Sequence, residues 1–340
     1  MSKHRLTRRQ FTNRSRFILA GLALTDPFLA FKNFKSMTDT NHFDVIIVGG
    51  SYAGLSAAMA LGRSLRNVLV IDSGKPCNRQ TPHSHNFITQ DGVAPKKIAE
   101  AAKEQVLEYD TVKYRNGLVT KAGRLDTGFE VVTDEGERFR CEKVLFATGV
   151  EDLMPETAGF SECWGISVLH CPYCHGYEVR NENIGILAKG EMATELCRLI
   201  QNWSKTLTLY TNGTSDLSRE QRQMLDTLNI NVVEKEIAKL HHNSGYVQEI
   251  VFNDGTLAPV SALFARVGFR QHCDIPEKLG CELTEQGHLE VNFMGKTSVA
   301  GVFAAGDNTT PFRSVSLAVS AGTVAGAAIN MELIEEEIGS

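Results

Sequence analysis

The sequence lacks an excess of basic residues, a dense cysteine framework and a long hydrophobic run near its start. Lysine and arginine number 35 against 40 aspartate and glutamate, which leaves a net charge of -5, so nothing favours nucleic acid as a partner. Only one pair among the eight cysteines is closely spaced, which excludes a small fold held together by many disulfides. The apolar run at residues 17–24 is too short to cross a bilayer. With 340 residues, the chain has room for two domains.

Residues 1–40 form a separate leader, with a basic start and the apolar run after it. Arg8 and Arg9, placed before that run, resemble a twin-arginine export signal, which predicts a periplasmic protein. Two features favour the alternative of a cytoplasmic protein. The bulky side chain of Phe28 makes a poor cleavage site, and Met37 stands where translation could begin.

A dinucleotide-binding signature follows the leader. Residues 43–48 are rich in β-branched side chains, which predicts a buried parallel strand. Gly49, Ser51 and Gly54 mark the turn into a helix, and Asp72 ends the next predicted strand. Gly49 permits a tight turn, and Gly54 lets the helix pack on the strand. Ser51 replaces the middle glycine of the motif, which leaves slightly less room for a phosphate to approach the backbone. We therefore expect a pyrophosphate at the helix N-terminus and a ribose on Asp72.

The stretch Cys171-Pro172-Tyr173-Cys174-His175 carries a second kind of chemistry. Two cysteines at this spacing can form a reducible disulfide, supply half of a zinc site or, with the following histidine, attach a c-type haem. Haem would need a second axial ligand, and zinc would need ligands that no second cysteine pair supplies. Inert structural cysteines are a further alternative. The stretch favours a redox pair, but by itself it leaves these alternatives open.

Two more motifs stand in a fixed order along the chain. One reads as a strand and turn that end in Thr148 and Gly149, and the other ends in Gly306 and Asp307. Together with the first turn and the cysteine pair, they resemble the motifs of low-molecular-weight thioredoxin reductases and their flavoprotein relatives. The resemblance covers about residues 43–330.

This resemblance implies an α/β fold with two Rossmann-like domains, bound FAD and no metal. The FAD-binding domain would comprise residues 41–152 and 263–334, and an inserted NAD(P)H-binding-like domain with the cysteine pair would comprise residues 153–262. A small-residue helix over residues 311–328 would point its N-terminus at the flavin. The residues expected to bind FAD are Gly49, Ser51, Gly54, Asp72, Asn86, Thr148, Gly149, Gly306, Asp307, Arg313 and Ser314.

The inserted domain has an altered nucleotide turn at residues 188–193. Gly190 keeps the middle glycine, but Ala188 replaces the first, and Glu191 brings a negative charge near the expected phosphates. The next strand is followed by residues 211–213, which supply neither arginines for NADP nor an acid for NAD. One interpretation is a working NAD(P)H site, and the other is a structural βαβ unit that binds nucleotide weakly.

The resemblance also gives the two cysteines different roles. Cys174 would face the flavin and Cys171 would attack the substrate. Reductases of the family usually have an aspartate after the second cysteine, whereas His175 in this chain resembles the flavin-dependent dithiol oxidases. Because imidazole titrates near neutrality, His175 can serve as either acid or base.

Three functions follow from this reading. The leading hypothesis is an enzyme that passes electrons from NAD(P)H through FAD and the Cys171–Cys174 pair to a disulfide, on a thioredoxin-like protein or a small molecule. The alternative is a dithiol oxidase that forms a disulfide and uses oxygen as the acceptor. A third possibility is a flavin-binding redox sensor without turnover. The resemblance further implies a homodimer.

Overall fold

The computed structural model describes residues 41–339; the leader and its predicted export signal lie outside the described residues. In chain order, the strands are β1 (His42–Val48), β2 (Val68–Asp72), β3 (Val112–Asn116), β4 (Val119–Arg124), β5 (Phe129–Thr133), β6 (Arg138–Phe146), β7 (Val150–Leu153), β8 (Val168–Leu169), β9 (Ile184–Leu187), β10 (Leu207–Tyr210), β11 (Asn231–Val233), β12 (Ile237–Asn243), β13 (Tyr246–Phe252), β14 (Leu257–Pro259), β15 (Ala262–Ala265), β16 (Gly268–Gln271) and β17 (Val302–Ala304). The helices are α1 (Tyr52–Arg63), α2 (Pro95–Val106), α3 (Phe160–Cys163), α4 (Pro172–His175), α5 (Gly190–Ile200), α6 (Arg219–Thr227), α7 (Ile275–Lys278) and α8 (Val315–Gly339).

The first large sheet has the strand order β3-β2-β1-β6-β5-β4, and β17 pairs with the second half of β6. Strands β3, β2, β1, β6 and β17 run parallel, whereas β4 and β5 add an antiparallel hairpin at one edge. The central strand β1 buries residues on both faces, because separate hydrophobic clusters pack on each side. This is the α/β arrangement that the sequence predicts.

Helices α1 and α8 pack closely on one face of this sheet. A Cβ atom at Gly322 or Gly326 of α8 would clash with the backbone of α1 at Ala53 or Ala57, so glycine is needed for the close approach. Within the described residues, α8 is also the one helix long and apolar enough to cross a membrane by length and composition. Its small residues are buried against α1, as they are in the core helix of a folded domain.

The second large sheet is entirely parallel, with the order β11-β10-β9-β15-β8. A three-stranded antiparallel sheet, β12-β13-β14, lies within the same inserted segment, and β7 pairs with β16 where the chain passes between the two units. Strand β15 pairs with β8 and β9, so residues up to 265 belong to the second sheet. The predicted boundary at residue 263 falls inside this strand, and the domain division as a whole stays a prediction.

Three predicted elements have different ends in the structure. The helix expected to start at residue 311 begins at Val315, because Ser314 caps it: the Ser314 Oγ accepts the N–H of Leu317 at 3.2 Å. The helix after the second turn, which the sequence predicts over residues 192–203, covers Gly190–Ile200. The strand that it predicts over residues 166–169 is reduced to Val168–Leu169.

Candidate active site

An elongated cavity lies at the carboxyl ends of the strands of the first sheet, the usual ligand position in an open α/β sheet. It consists of two adjoining parts of about 520 and 180 Å³. Ser51 and Thr148 line both parts. The larger part ends at Asp72, and the smaller part ends at Cys171 and Cys174. One continuous space therefore joins the predicted ribose site to the cysteine pair.

The first glycine turn is built by close backbone contacts. Gly49 has a φ of 103°, and a Cβ atom there would collide with the carbonyl of Ala147 at the end of β6. A Cβ atom at Gly54 would collide with the carbonyl of Gly49. Ser51 precedes α1 as its N-cap with an extended backbone, and its side chain makes no capping hydrogen bond. These contacts leave the N-terminus of α1 open toward the cavity.

Asp72 stands at the end of β2, where the sequence places it. Its Oδ1 accepts the N–H of Gly50 at 2.9 Å, and its Oδ2 accepts the hydroxyl of Tyr114 at 2.7 Å and the N–H of Gly74 at 3.2 Å. Burial and the neighbouring Asp72 raise the pKa of Tyr114. The carboxylate is thus fixed beside the turn in a position to accept hydrogen bonds from a ribose.

A charged cluster surrounds the predicted flavin end of the cavity. The Arg313 guanidinium donates to both carboxylate oxygens of Asp152, at 2.6 and 3.1 Å, and the indole of Trp164 also donates to Asp152 at 3.1 Å. Although burial opposes it, these donors lower the pKa of Asp152. Two charge-assisted bonds in a fork fix the orientation of Arg313. The sequence pointed to Arg313 but missed Asp152, because these partners are separated by 161 residues.

Asp307 lies in the same cluster and faces Cys77. The Cys77 Sγ lies 3.5 Å from Asp307 Oδ2, which is also 3.5 Å from Arg313 Nε. Burial raises the pKa of Asp307, and burial followed by the charge of Asp307 raises the pKa of Cys77 to about 11. Cys77 is therefore a thiol near neutral pH. The spacing of Cys77 in the sequence predicts only a packing role, but the residue lines the cavity.

These features fit the FAD that the resemblance implies. Gly49 and Gly54 form a cradle that side chains would fill, and the open helix N-terminus suits a pyrophosphate. The buried Arg313 Nε makes no hydrogen bond within the described residues, since its acceptor Asp307 Oδ2 lies 3.5 Å away, so this donor could also serve a polar atom of a bound cofactor. Gly49, Ser51, Gly54, Asp72, Thr148 and Gly149 would hold the nucleotide side, and Gly306, Asp307, Arg313 and Ser314 the flavin side.

Asn86 does not join the other predicted cofactor residues. It is exposed, has a φ of 58°, and donates its backbone N–H to Asp91 at 2.8 Å. Its left-handed conformation belongs to a surface turn, a role for which asparagine is well suited. The neighbouring His85 lines the cavity instead.

Cys171 and Cys174 form a disulfide with their Cα atoms 5.3 Å apart. Pro172 opens the short helix α4 at a position where its missing N–H costs no hydrogen bond. The N–H groups of Cys174 and His175 both approach the carbonyl of Cys171 at 3.2 Å. One turn of helix therefore sets the geometry of the pair. Both cysteines line the smaller part of the cavity, which also contains Asp307.

Two half-buried histidines flank the disulfide in the sequence. Burial, followed by the charge of Arg313, lowers the pKa of His170 to about 4. Burial, followed by the charge of His85, lowers the pKa of His175 to about 4. Both imidazoles are therefore neutral near pH 7, where a neutral imidazole can accept a proton from a thiol.

The second turn carries an acid that the sequence analysis missed. The N–H of Gly190, at the start of α5, donates to Asp216 Oδ1 at 2.8 Å. Asp216 comes from the loop after β10, and Glu191 adds another carboxylate to the first turn of α5. The helix N-terminus remains, so the turn fits an anion once Asp216 is displaced.

Comparison with known proteins places the chain in a family. Residues 43–323 match the pyridine nucleotide-disulphide oxidoreductase family. The chain is 33% identical over 307 residues to thioredoxin reductase aclD of Aspergillus oryzae, covering 87% of this chain and 98% of that protein. It is 32% identical over 311 residues to thioredoxin reductase tcpT of Claviceps purpurea, covering 88% and 97%. The crystal structure of an oxidoreductase from Agrobacterium tumefaciens matches with a TM-score of 0.81 and 38% identity, covering 86% of this chain and 99% of the other.

The chain belongs to the pyridine nucleotide-disulphide oxidoreductase family. It is a thioredoxin reductase-like enzyme with two Rossmann-like domains, FAD as cofactor and NAD(P)H as electron donor. The leading hypothesis from the sequence is confirmed at this level. The relatives do not favour the alternative in which oxygen accepts the electrons.

Proposed function

We propose that Cys171 and Cys174 carry electrons from the flavin to an external disulfide, with Cys174 facing the flavin, Cys171 attacking the substrate and His175 moving the proton. The observation that supports this most is the shared cavity: the disulfide, Asp307 and Arg313 line the same space. When bound, FAD supplies two-electron chemistry, taking a hydride from NAD(P)H and giving an electron pair to a disulfide.

The residues of this chain have separate tasks in that reaction. The α4 turn keeps the two sulfurs within bonding distance of each other. The forked pair of Arg313 and Asp152 orients the polar end of the cavity. His175, neutral near pH 7, can accept a thiol proton and so produce the thiolate that attacks a disulfide.

The experiment is an anaerobic titration of the purified flavoprotein with NADPH, NADH and a small dithiol, each added separately. We expect a nicotinamide to bleach the flavin, and a disulfide substrate to restore its colour. Bleaching by the dithiol alone, with recovery only in air, would contradict the proposal and indicate an oxidase.

Cys174→Ser tests the cysteine assignment. The variant should bind FAD and be bleached by nicotinamide, but lose colour recovery by disulfide by at least a hundredfold, since the serine hydroxyl cannot exchange with a disulfide. Cys281→Ser is the matched control. Cys281 is buried beside Thr297 Oγ1 at 3.5 Å, so its replacement should leave transfer intact. Full turnover of Cys174→Ser would refute the assignment.

The substrate that we favour is a disulfide on a thioredoxin-like protein, in keeping with the names of the two relatives. A small-molecule disulfide is the other candidate, and comparison of kcat/KM for a thioredoxin and for a small disulfide decides between them. Homodimer formation stays a prediction that sedimentation can test.

A further inference from the structure

The start of the loop at residues 83–93 forms part of the cavity wall, and the proposed reaction leaves one of its side chains without a role. His85 lines the same part of the cavity as Cys171, Cys174 and His175. Its side chain is 19% exposed. It is therefore half-buried in a wall that the half-buried cysteine pair also lines, and part of the ring reaches solvent.

Two carboxylates and two imidazoles face His85 within the described residues. Its Nδ1 lies 3.6 Å from Asp91 Oδ1 on the same loop, and its Nε2 lies 3.6 Å from Glu178 Oε1 in the segment after α4. Its ring centroid is 6.2 Å from that of His175, with the planes at 89°, and 6.4 Å from that of His83. The carboxylates of Asp91 and Glu178 are 68% and 39% exposed, so both reach solvent.

Hydrogen bonds on both sides hold His85 in place. The preceding residue, Ser84, accepts the N–H of Gly92 at 2.8 Å and donates its own N–H to Val93 at 2.9 Å. The residue after His85 donates its N–H to Asp91 at 2.8 Å. The loop is thus closed on itself, and Asp91 is fixed against the imidazole. This is the preorganisation that a positioning residue requires.

The chemistry at the cysteine pair needs a proton path. When the dithiol reduces a substrate disulfide, two S–H bonds of the enzyme are replaced by one S–S bond, and each released substrate sulfur takes one proton. Returning the enzyme disulfide to the dithiol takes one hydride and one proton, and that proton comes from solvent. Because desolvation lowers the pKa of His175 to about 4, the neutral ring is favoured near pH 7, so a proton that it accepts must pass to another group.

We infer that His85 is a positioning residue that relays protons between His175 and the solvent-exposed carboxylates of Glu178 and Asp91. The two rings share no direct hydrogen bond, and their centroid separation of 6.2 Å suits transfer through one water molecule. The inference rests on the proposed function, because it takes the Cys171–Cys174 pair as the site of thiol exchange. It goes further because it gives His85 a specific task.

The test follows thiol exchange without nicotinamide. The cysteine pair is reduced chemically, excess reductant is removed, and single-turnover reduction of 5,5′-dithiobis(2-nitrobenzoate) is followed between about pH 5 and 9. We expect His85→Gln to be roughly tenfold slower near neutral pH, to lose an inflection that the unchanged protein shows, and to recover with added imidazole. Glu178→Gln should be slower by about threefold, and bound FAD should be unchanged in both variants.

His241→Gln is the matched control, because His241 Nδ1 also faces a carboxylate, Glu249 Oε2, at 3.3 Å, but on the antiparallel sheet of the inserted segment. An unchanged pH profile in both His85→Gln and Glu178→Gln would overturn the inference. So would a slower His85→Gln protein with the original profile and no recovery by imidazole, which is the behaviour of a purely structural residue. This measurement uses no nicotinamide, so it tests the role of His85 separately. If NAD(P)H failed to reduce the protein, the proposed function would be contradicted, but the pH profiles would still show whether His85 relays protons.

Discussion

The two strand–turn–helix units of this chain use their turns differently. In the first unit, Gly49 and Gly54 are required because backbone carbonyls occupy the space of a side chain. In the second unit, Ala188 and Ala193 stand at the matching places and are buried. The first turn therefore leaves no room for side chains at two positions where the second turn carries alanine.

The carboxylates at the two turns differ as well. Asp72 ends β2 and shares its oxygens among Gly50, Gly74 and Tyr114 beside a cavity. Asp216 lies six residues beyond the end of β10 and bonds directly to the first residue of α5. The first turn keeps its acid to the side, where a ribose would lie, whereas the second places a carboxylate where a phosphate would lie. We therefore expect FAD to be held permanently and the nicotinamide weakly.

The largest effect is expected at Gly54. Gly54→Ala adds a Cβ atom inside contact distance of the Gly49 carbonyl, so α1 must move away from β1. Alanine has a higher helix propensity than glycine, so the steric clash is the destabilising factor. We expect it to lower the free energy of unfolding by about 3 kcal/mol. The amount of FAD that copurifies should fall by at least tenfold, measured by flavin absorbance per chain.

Ala193→Gly is the matched change in the second unit. It should destabilise the chain by about 1 kcal/mol through loss of helix propensity and leave the FAD content unchanged. Equal loss of FAD in both variants would show that the two turns are not independent, and the comparison would fail.

The next largest effect is on the stability of the folded chain at acid pH, and it comes from a histidine at the first site. His170 lines its cavity, and its pKa is lowered from 6.5 to about 4 by burial. Below pH 6.5 the His170 imidazole binds a proton in the unfolded chain but not in the folded chain. The free energy of unfolding therefore falls from pH 6.5 down to about pH 4. This amounts to roughly 3 kcal/mol at the acid end of the window. His170→Asn should flatten the dependence of the free energy of unfolding on pH, measured by urea denaturation.

The exposed His241 provides the control for that measurement. Its side chain is 61% exposed, and His241→Gln should leave the slope unchanged. If His170→Asn keeps the original slope as well, the buried imidazole is not the cause of acid instability.

Local motifs could be read from the sequence, whereas long-range partners could not. Gly49, Gly54 and Asp72 lie where predicted, because neighbouring residues along the chain fix a strand, a turn and a strand end. The pairing of Asp216 with Gly190 joins two loops that are 26 residues apart. No periodicity or spacing rule for a dinucleotide site places an acid so far past the second strand.

The start of α8 is a different case, because its signal was present in the sequence. Ser314 is a good N-cap residue directly before a helix-forming run, so the true start at Val315 could have been chosen over residue 311. The position of His85 beside Glu178 had no such signal, since it depends on packing a loop of the first unit against the segment after α4.

Asp216→Asn tests whether the second turn blocks its own ligand. Removal of the charge should favour a pyrophosphate at the N-terminus of α5 by about 1 kcal/mol, which is roughly a fivefold lower Kd. The measurement is an anaerobic titration with NADP⁺ and with NAD⁺. Asp226→Asn makes the same charge change on the exposed face of α6 and should have no effect. An unchanged Kd in Asp216→Asn would show that its carboxylate does not compete with the nucleotide.

The smallest effect is expected at Ser51, which matches Gly190 in position but not in conformation. Ser51 has a φ of -90°, and Gly190 a φ of 62°. The Ser51 side chain makes no capping hydrogen bond, so Ser51→Gly should change stability by less than about 0.5 kcal/mol and FAD affinity by less than about threefold. Gly190→Ser forces a side chain into the left-handed region at about 1 kcal/mol. If Ser51→Gly instead tightened FAD binding by about tenfold, the Ser51 side chain would crowd the phosphate as the sequence predicts. Both turns would then favour glycine at this position, although their backbone conformations differ.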